Sequence, residues 1–450
     1  MQRSDKFAIV MPPALRKSKE RNDSMSKLAI KGGRPLRVVK KNPWPKWPVW
    51  DKKEEKGLLE VLRSGVWSYN GPKEMEFNRA FAKFIGTKYA LSVANGTVSL
   101  QLALEACGIG LGDEVIVPGL TWQATAGAVL DVNAVPVIVD VCEDTWCIDP
   151  AQVEEAITAR TRAIIPVHLY GCLADMDAIM KIARKHRLRV IEDCAHKHGG
   201  EWKGKKAGSI GDAGSFSFQL SKLMTAGEGG ALTTSDPQLA EKLDALRNCG
   251  RRPEQEGAAD KGAGIYGDEG NFIQSGNYRM TEFQAVLLLE SLKRLPEHNR
   301  VREKNATYFN SQLARLPGVR PMRRDKRETM GAYYNFSFRY NKNEFRGLDV
   351  ATFREALAKE LGCGVEASYE PLNACALYTP HTKPWRYKLN EKHWKQIDPA
   401  RFDLPVCHRI YSEESVCFHH TVLMGTKADM DLILEAIQKI YDNADDLRCM

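Results

Sequence analysis

Between about Trp50 and Ser235 the chain alternates two kinds of hydrophobic pattern. "EFNRAFAKFIG" (76–86) and "TVSLQLALEACGIG" (97–110) carry apolar residues at helical spacing. Short β-rich runs follow: "DEVIVP" (113–118), "AVPVIVDV" (134–141), "RAIIPVHLY" (162–170) and "LRVIEDC" (188–194). "PAQVEEAIT" (150–158) and "ADMDAIMKIARKH" (174–186) supply helices between the later runs. Strands separated by helices of this length predict crossover connections and a mainly parallel sheet covered on both faces. "AGSFSFQ" and "GGALTTS" predict two more strands, on either side of a lysine-bearing turn.

The pattern changes after "MTEFQAVLLLESLKRLPEHNRVREKNATYFNSQLARL" (280–316), which predicts one long helix. "YYNFSFRYN", "LDVATFREALAKELGCGVEASY" and "MDLILEAIQKIYDNA" then suggest a smaller α+β domain. The expected division is a large domain over 25–300 with an N-terminal arm, and a small C-terminal domain over 301–450. Residues 1–24 are polar and basic with little periodicity, which predicts a disordered extension ahead of Met25.

Composition narrows the function classes. The 450 residues carry 65 basic and 57 acidic side chains, a net charge of +8. The excess gathers partly in the N-terminal stretch, without the concentrated basic face interleaved with aromatics that nucleic-acid binding needs. No apolar run is long enough to span a bilayer, and "FAIVMPPAL" is too short and proline-broken for a signal peptide. Eleven cysteines at irregular spacing, none in a C-x-x-C pair, argue against a disulfide framework and for a reducing cytoplasm.

In an open α/β sheet, ligands bind at the carboxyl ends of the strands, and four features fall there. In "SVANGTVSL", Gly96 and Thr97 open a helix after a strand-like run, offering free N–H groups as a phosphate seat. Asp193 in "VIEDCAH" is an acid at the end of an apolar strand, with His196 three residues on. Lys222 in "SFSFQLSKLMTAGEGGA" (215–231) stands between an apolar strand and a glycine-rich turn, with Ser217 five residues earlier. Trp122 in "PGLTWQATA" can cover the face of a planar ring. Each has an ordinary reading alone: an Asn-Gly turn, a helix cap or ion pair, a hydrogen-bonded core histidine, a lysine whose head reaches water, a core aromatic. One cofactor uses a phosphate seat, an acid for a ring nitrogen, an aromatic lid and a partly buried amine together. That cofactor is pyridoxal 5′-phosphate (PLP), with Lys222 as its covalent anchor through a Schiff base. A metal site at His419 and His420 is disfavoured, because adjacent strand residues face opposite ways and only Cys417 shares a face with His419.

"IEDCAHKHGGEWKGKKAGSIGDAGSFSFQLSKLMTAGEGGALTTSD" closely resembles the DegT/DnrJ/StrS family of PLP-dependent aminotransferases. "ANGTVSLQLAL", "GDEVIVPGLTW", "IIPVHLYG" and "SGNYRMTEFQAVLL" extend the resemblance from about residue 45 to the C-terminus. It implies PLP-dependent transferase fold type I (aspartate aminotransferase-like), usually a homodimer with shared active sites. It also implies that Lys222 anchors the cofactor and Asp193 meets its ring nitrogen. Gly96, Thr97 and Ser217 match phosphate contacts, Trp122 the stacked aromatic, and His196 a residue near the ring hydroxyl. Asn277 in "GNYRM" matches an asparagine that reaches the neighbouring subunit's cofactor phosphate; its alternative is to cap the helix beginning near Thr281.

Gln219 in "SFQLSK", with "KLMTAGEGG", is similar to the branch holding scyllo-inosose aminotransferases and 3-amino-5-hydroxybenzoate synthases. "SYEPLN", with Ser368 and Asn373, departs from the family's usual surroundings there. The resulting expectation is transfer of an amino group from L-glutamine or L-glutamate to a ketone of a cyclitol or sugar. The rivals are a PLP-dependent lyase or dehydratase of the same fold, and a non-catalytic regulatory protein.

Overall fold

The computed structural model describes residues 27–69, 71–251, 272–383 and 391–448, so the extension expected over 1–24 lies outside the described residues. The main sheet begins with β1 (Tyr89–Val93), β2 (Glu114–Pro118), β3 (Val135–Val139), β4 (Thr161–Ile164) and β5 (Arg189–Asp193). A short hairpin of β6 (Glu201–Trp202) and β7 (Lys205–Lys206) intervenes before β8 (Ala213–Ser217) and β9 (Gly230–Thr234) complete it. The seven strands lie in the order β1-β9-β8-β5-β4-β2-β3. Neighbours from β3 to β8 pair in parallel, and β9 runs antiparallel to both β8 and β1. The carboxyl ends of β1, β5 and β8 therefore share one edge.

Two prolines shape this sheet. Pro136 lies within β3, where its missing N–H is tolerated because β3 is an edge strand. The strand expected over 162–170 is shorter, since β4 ends at Ile164. Past Pro166 the chain bends, rejoins β5 only through a Val167–Asp193 bridge, and delivers Tyr170 in the left-handed region (φ 48°).

Helices α1 (Lys52–Ser64), α2 (Pro72–Ile85), α3 (Gly96–Ala106), α4 (Ala124–Asp131), α5 (Pro150–Glu155), α6 (Met176–His186) and α7 (Pro237–Arg247) accompany the sheet. The hydrophobic pattern did not announce α1, α4 or α7. Local signals for two of them were present: Asp51 and Glu54 form a capping box on α1, and Asp236 caps α7 with Pro237 in its first turn.

Helix α8 (Glu282–Leu313) starts at a Thr281–Gln284 capping box and contains Pro296. Ala285, Leu288, Leu289, Leu292 and Leu295 pack into the core around the main sheet. Ala306, Phe309 and Leu313 pack into a second core. That second core is built on β10 (Val319–Pro321), β12 (Asn335–Tyr340) and β13 (Ser415–His419), while β11 (Glu328–Met330) joins the β6–β7 hairpin. Helix α9 (Val350–Leu361) and the helix Lys427–Asp442 cover it, with Phe336, Phe338, Phe353 and Phe418 at its centre. No described helix is long and apolar enough to cross a membrane.

The arm 27–50 is tied to this second core by two carboxylates, Asp429, which accepts from Arg37 (2.6 Å), and Glu360. Glu360, fully buried on α9, accepts from Ala29 N (2.8 Å), Leu36 N (3.2 Å) and Lys439 Nζ (2.7 Å). Glu360→Ala strands the largely buried Lys439 ammonium, and the expected loss is about 3–5 kcal/mol in urea unfolding. Amide exchange at Ala29 and Leu36 is expected to accelerate; unchanged exchange there would dismiss the tie.

Candidate active site

The carboxylate comes first. Asp193 closes β5, pairs with Ser215 of β8, and is buried. Its Oδ2 accepts from Thr125 Oγ1 (2.9 Å) and its Oδ1 from Ala195 N (3.2 Å). Burial raises its pKa, although these donors and the Lys222 charge pull the other way. Thr125 stands on α4, so the helix that periodicity missed holds the aspartate in place.

Lys222 follows from the next strand. Past β8, Phe218 N donates to Gly229 O (2.8 Å), while Phe218 O accepts from Ala226 N (3.1 Å) and Thr225 Oγ1 (3.0 Å). These bonds close a tight loop over residues 218–229. Lys222 is 9% exposed, and among the described residues no hydrogen bond or ion pair holds its amine. Burial brings that amine down from 10.5 to about 8, with Asp193 opposing. Its Nζ faces the Tyr334 ring, 4.2 Å from the centroid.

Glycine makes the third part possible. Asn95 caps α3 through Val98 N (2.9 Å), leaving the first N–H groups, those of Gly96 and Thr97, at the open helix end. A Cβ on Gly96 would come within 2.7 Å of Ser217 Cβ. One on Gly230 would meet Asn95 O at 2.4 Å and Gly96 N at 2.9 Å. The result is a backbone cradle with the Ser217 side chain at its rim, suited to an anion.

Aromatic rings complete the site. His196 is buried and stacks on Tyr170 (5.5 Å between centroids) and Tyr334 (4.0 Å). Its Nδ1 accepts from Tyr170 N (3.4 Å), and its Nε2 meets Tyr369 Oη (3.2 Å). Trp122 is 47% exposed and sits beside Tyr369 at 5.7 Å. Sequence reading missed Tyr170, Tyr334 and Tyr369. The last two arrive from the part of the chain that builds the second core, and their only trace was the aromatic content of "YYNFSFRYN" and "SYEPLN". Within "SYEPLN", Ser368 is buried against Ser415 and Asn373 is held by Phe402 O and His408. Tyr369 alone of these three meets His196.

Asn277 is exposed. It bridges to Asn248, and the next residue's carbonyl, Tyr278 O, accepts from Ala94 N (2.8 Å), beside the cradle. It does not cap α8, whose N-cap is Thr281; its Oδ1 accepts from Arg279 N (3.2 Å) instead.

The histidines disfavoured as metal ligands have other partners. His419 Nε2 contacts Ser221 O (3.2 Å), Cys417 accepts from Ser337 (3.3 Å), and His420 Nδ1 accepts from Arg302 (3.2 Å). His168, Glu192 and Cys194 also cluster, but Glu192 is occupied by Gly208 N, Ile210 N, Gly211 N and His168.

Residues 48–417 match the model of the DegT/DnrJ/EryC1/StrS aminotransferase family. The chain belongs to this family. It is an aminotransferase. Over 428 residues it is 43% identical to an L-glutamine:2-deoxy-scyllo-inosose aminotransferase of Streptoalloteichus tenebrarius, covering 94% of this chain and 99% of that protein. The crystal structure of a 3-amino-5-hydroxybenzoic acid synthase superposes with a TM-score of 0.76 at 32% identity, covering 93% of this chain and all of that one. A Streptococcus pneumoniae protein described as a sugar aminotransferase, in its PLP form, superposes at 0.73 with 25% identity, covering 89% and 98%. The aminotransferase thus has fold type I, and its family implies PLP. Its residues fit that group: a buried amine, a buried carboxylate, and an anion cradle that only glycine permits at residues 96 and 230.

Three buried histidines of the aminotransferase give it an acid weakness. Burial holds His196, His198 and His420 below 6.5, His198 at about 3. They stay neutral in the fold and gain a proton on unfolding, so stability falls as pH drops below about 6.5. The expected slope between pH 6.5 and 5 approaches about 1.4 kcal/mol per pH unit for each histidine, measured by urea unfolding. A flat profile would mean these rings are charged in the folded chain.

Proposed function

We propose that this enzyme transfers the amino group of L-glutamine to the ketone of a cyclitol of the scyllo-inosose type, with PLP held at Lys222. The observation that carries the reading is the buried Lys222–Asp193 pair at the strand ends, in a chain 43% identical to a glutamine:2-deoxy-scyllo-inosose aminotransferase. When bound, PLP supplies an aldehyde and a ring that takes up the electron pair released at the carbon losing or gaining nitrogen.

The chain's own residues do the rest. Gly96 N, Thr97 N and Ser217 Oγ would hold the phosphate, and Trp122 would supply the aromatic beside the ring. Asp193, fixed by Thr125 and Ala195 N, would keep the ring nitrogen protonated. His196 would serve the ring hydroxyl. Lys222 Nζ, displaced by the donor amine, would carry the proton from the donor's Cα to the cofactor's former aldehyde carbon in the first half-reaction, and from that carbon to the former ketone carbon in the second. Its pKa of about 8 leaves a useful share of free amine near neutral pH. The donor's keto acid leaves before the ketone enters, which makes the kinetics ping-pong.

The test uses PLP-loaded protein with L-glutamine or L-glutamate against a panel of cyclitol and sugar ketones, with an aminoshikimate-type substrate as the dehydratase control. Turnover is expected with glutamine and an inosose. Borohydride reduction is expected to leave the pyridoxyl label on Lys222, and Lys222→Ala to abolish turnover. Asp193→Asn is expected to keep PLP bound while lowering transamination by orders of magnitude; near-normal turnover in that variant would place the ring-nitrogen partner elsewhere.

We infer further that two copies share their sites, with Asn277 reaching the partner's phosphate cradle. Its exposed side chain supports this, because Nδ2 makes no hydrogen bond among the described residues. Mixing Lys222→Ala protein with a weakly PLP-binding Asn277→Ala variant should restore activity, since each exchanged dimer then gathers both defects in one site. No recovery despite demonstrated exchange would confine Asn277 to its own subunit's site, or remove it from the site.

A further inference from the structure

The loop that carries Lys222 is gripped from outside the main sheet. Trp47 Nε1, from the arm, donates to Leu220 O (2.8 Å). His419 Nε2, at the end of β13, meets Ser221 O (3.2 Å). Tyr334 Oη, just before β12, shares a hydrogen bond with Ser221 Oγ (2.9 Å). Gln219 Oε1 accepts from both Ser221 N (2.9 Å) and Ser221 Oγ (2.7 Å). The residue before the lysine is thus held at its N–H, its hydroxyl and its carbonyl. Tyr334 and His419 are tied to the same ladder, because Asn335 pairs with His419 and Tyr334 O accepts from His420 N (3.1 Å).

Tyr334 does more than hold Ser221. Lys222 Nζ lies over its ring at 4.2 Å, and His196 stacks on the same ring at 4.0 Å. An ammonium over an aromatic face is stabilised relative to the free amine, which opposes the effect of burial. We propose that Tyr334 is a positioning residue for Lys222: its hydroxyl fixes the lysine's approach through Ser221, and its ring sets how readily the amine sheds its proton. The proposal rests on the reading of Lys222 as the reactive amine. The other titratable groups around that amine are Asp193 at the end of β5, His196 and His198 after it, Tyr369, and His419 through Ser221.

The experiment removes PLP from the purified protein and follows its return by the visible band of the bound cofactor, as a function of pH. Wild type, Tyr334→Phe and Tyr334→Leu are compared, so ionisation of PLP itself cancels. Borohydride reduction and peptide mapping identify the labelled lysine in each. Tyr334→Phe keeps the ring, so its inflection is expected at the wild-type pH with uptake several-fold slower. Tyr334→Leu also loses the ring, and its inflection is expected about half to one pH unit lower. If the leucine variant does not fold, Ser221→Ala replaces it and is expected to slow uptake as Tyr334→Phe does. Folded variants with the wild-type rate and inflection overturn the proposal while leaving the function of Lys222 intact. A wild-type label on another lysine, or none, overturns both.

Discussion

The site depends on the parallel pairing of β5 with β8, which sets Asp193 opposite Ser215 and starts the Lys222 loop one strand away. A carboxylate and an amine are thereby buried close enough to influence each other's protonation, yet no hydrogen bond ties the Lys222 amine to the carboxylate. Burial raises the pKa of the acid and lowers that of the base, so the charged form of each is less favoured here than in water. A ligand carrying a cationic ring nitrogen and an electrophilic carbon relieves both at once. Most of the surrounding contacts keep these two groups buried and oriented: Thr125 on the carboxylate, the closed 218–229 loop on the lysine, and the glycine-backed cradle that gives an anion a place to bind.

The residues of the main sheet were legible because their signals are local. Continuous Val/Ile runs announce buried parallel strands, and an acid or a lysine at the end of such a run stands out from its neighbours. Lys222 and Asp193 were singled out in this way, and the structure buries both, at and just past the ends of neighbouring strands. Asn277 was traced through its motif, and here the sequence left a cap as the alternative, which the Thr281–Gln284 box removes. The strand expected over 162–170 fell short because Pro166 breaks the ladder, which periodicity cannot weigh.

The tyrosines around His196 had no comparable signal. Tyr334 is 112 positions from Lys222 and Tyr369 is 173 from His196, so their meeting depends on how the second core docks on the first. Helix α4 was silent for another reason. "ATAGAVLD" is mostly small residues, too weakly patterned to reveal a helix, yet it carries the hydroxyl on Asp193.

Helix α8 joins the two halves mechanically. At 32 residues it is a rod of about 48 Å, anchored near one end in the sheet core and near the other in the core that supplies Tyr334 and His419. Pro296 lies between the two anchored stretches and removes the hydrogen bond that would tie its turn to Leu292. The rod therefore lacks one backbone tie where the two halves meet. Past that turn, the alignment of the far core rests on side chains of α8 itself: Asn299 Nδ2 donates to His198 O (2.7 Å), and Arg302 to His420 Nδ1 (3.2 Å), next to the histidine that grips the lysine loop.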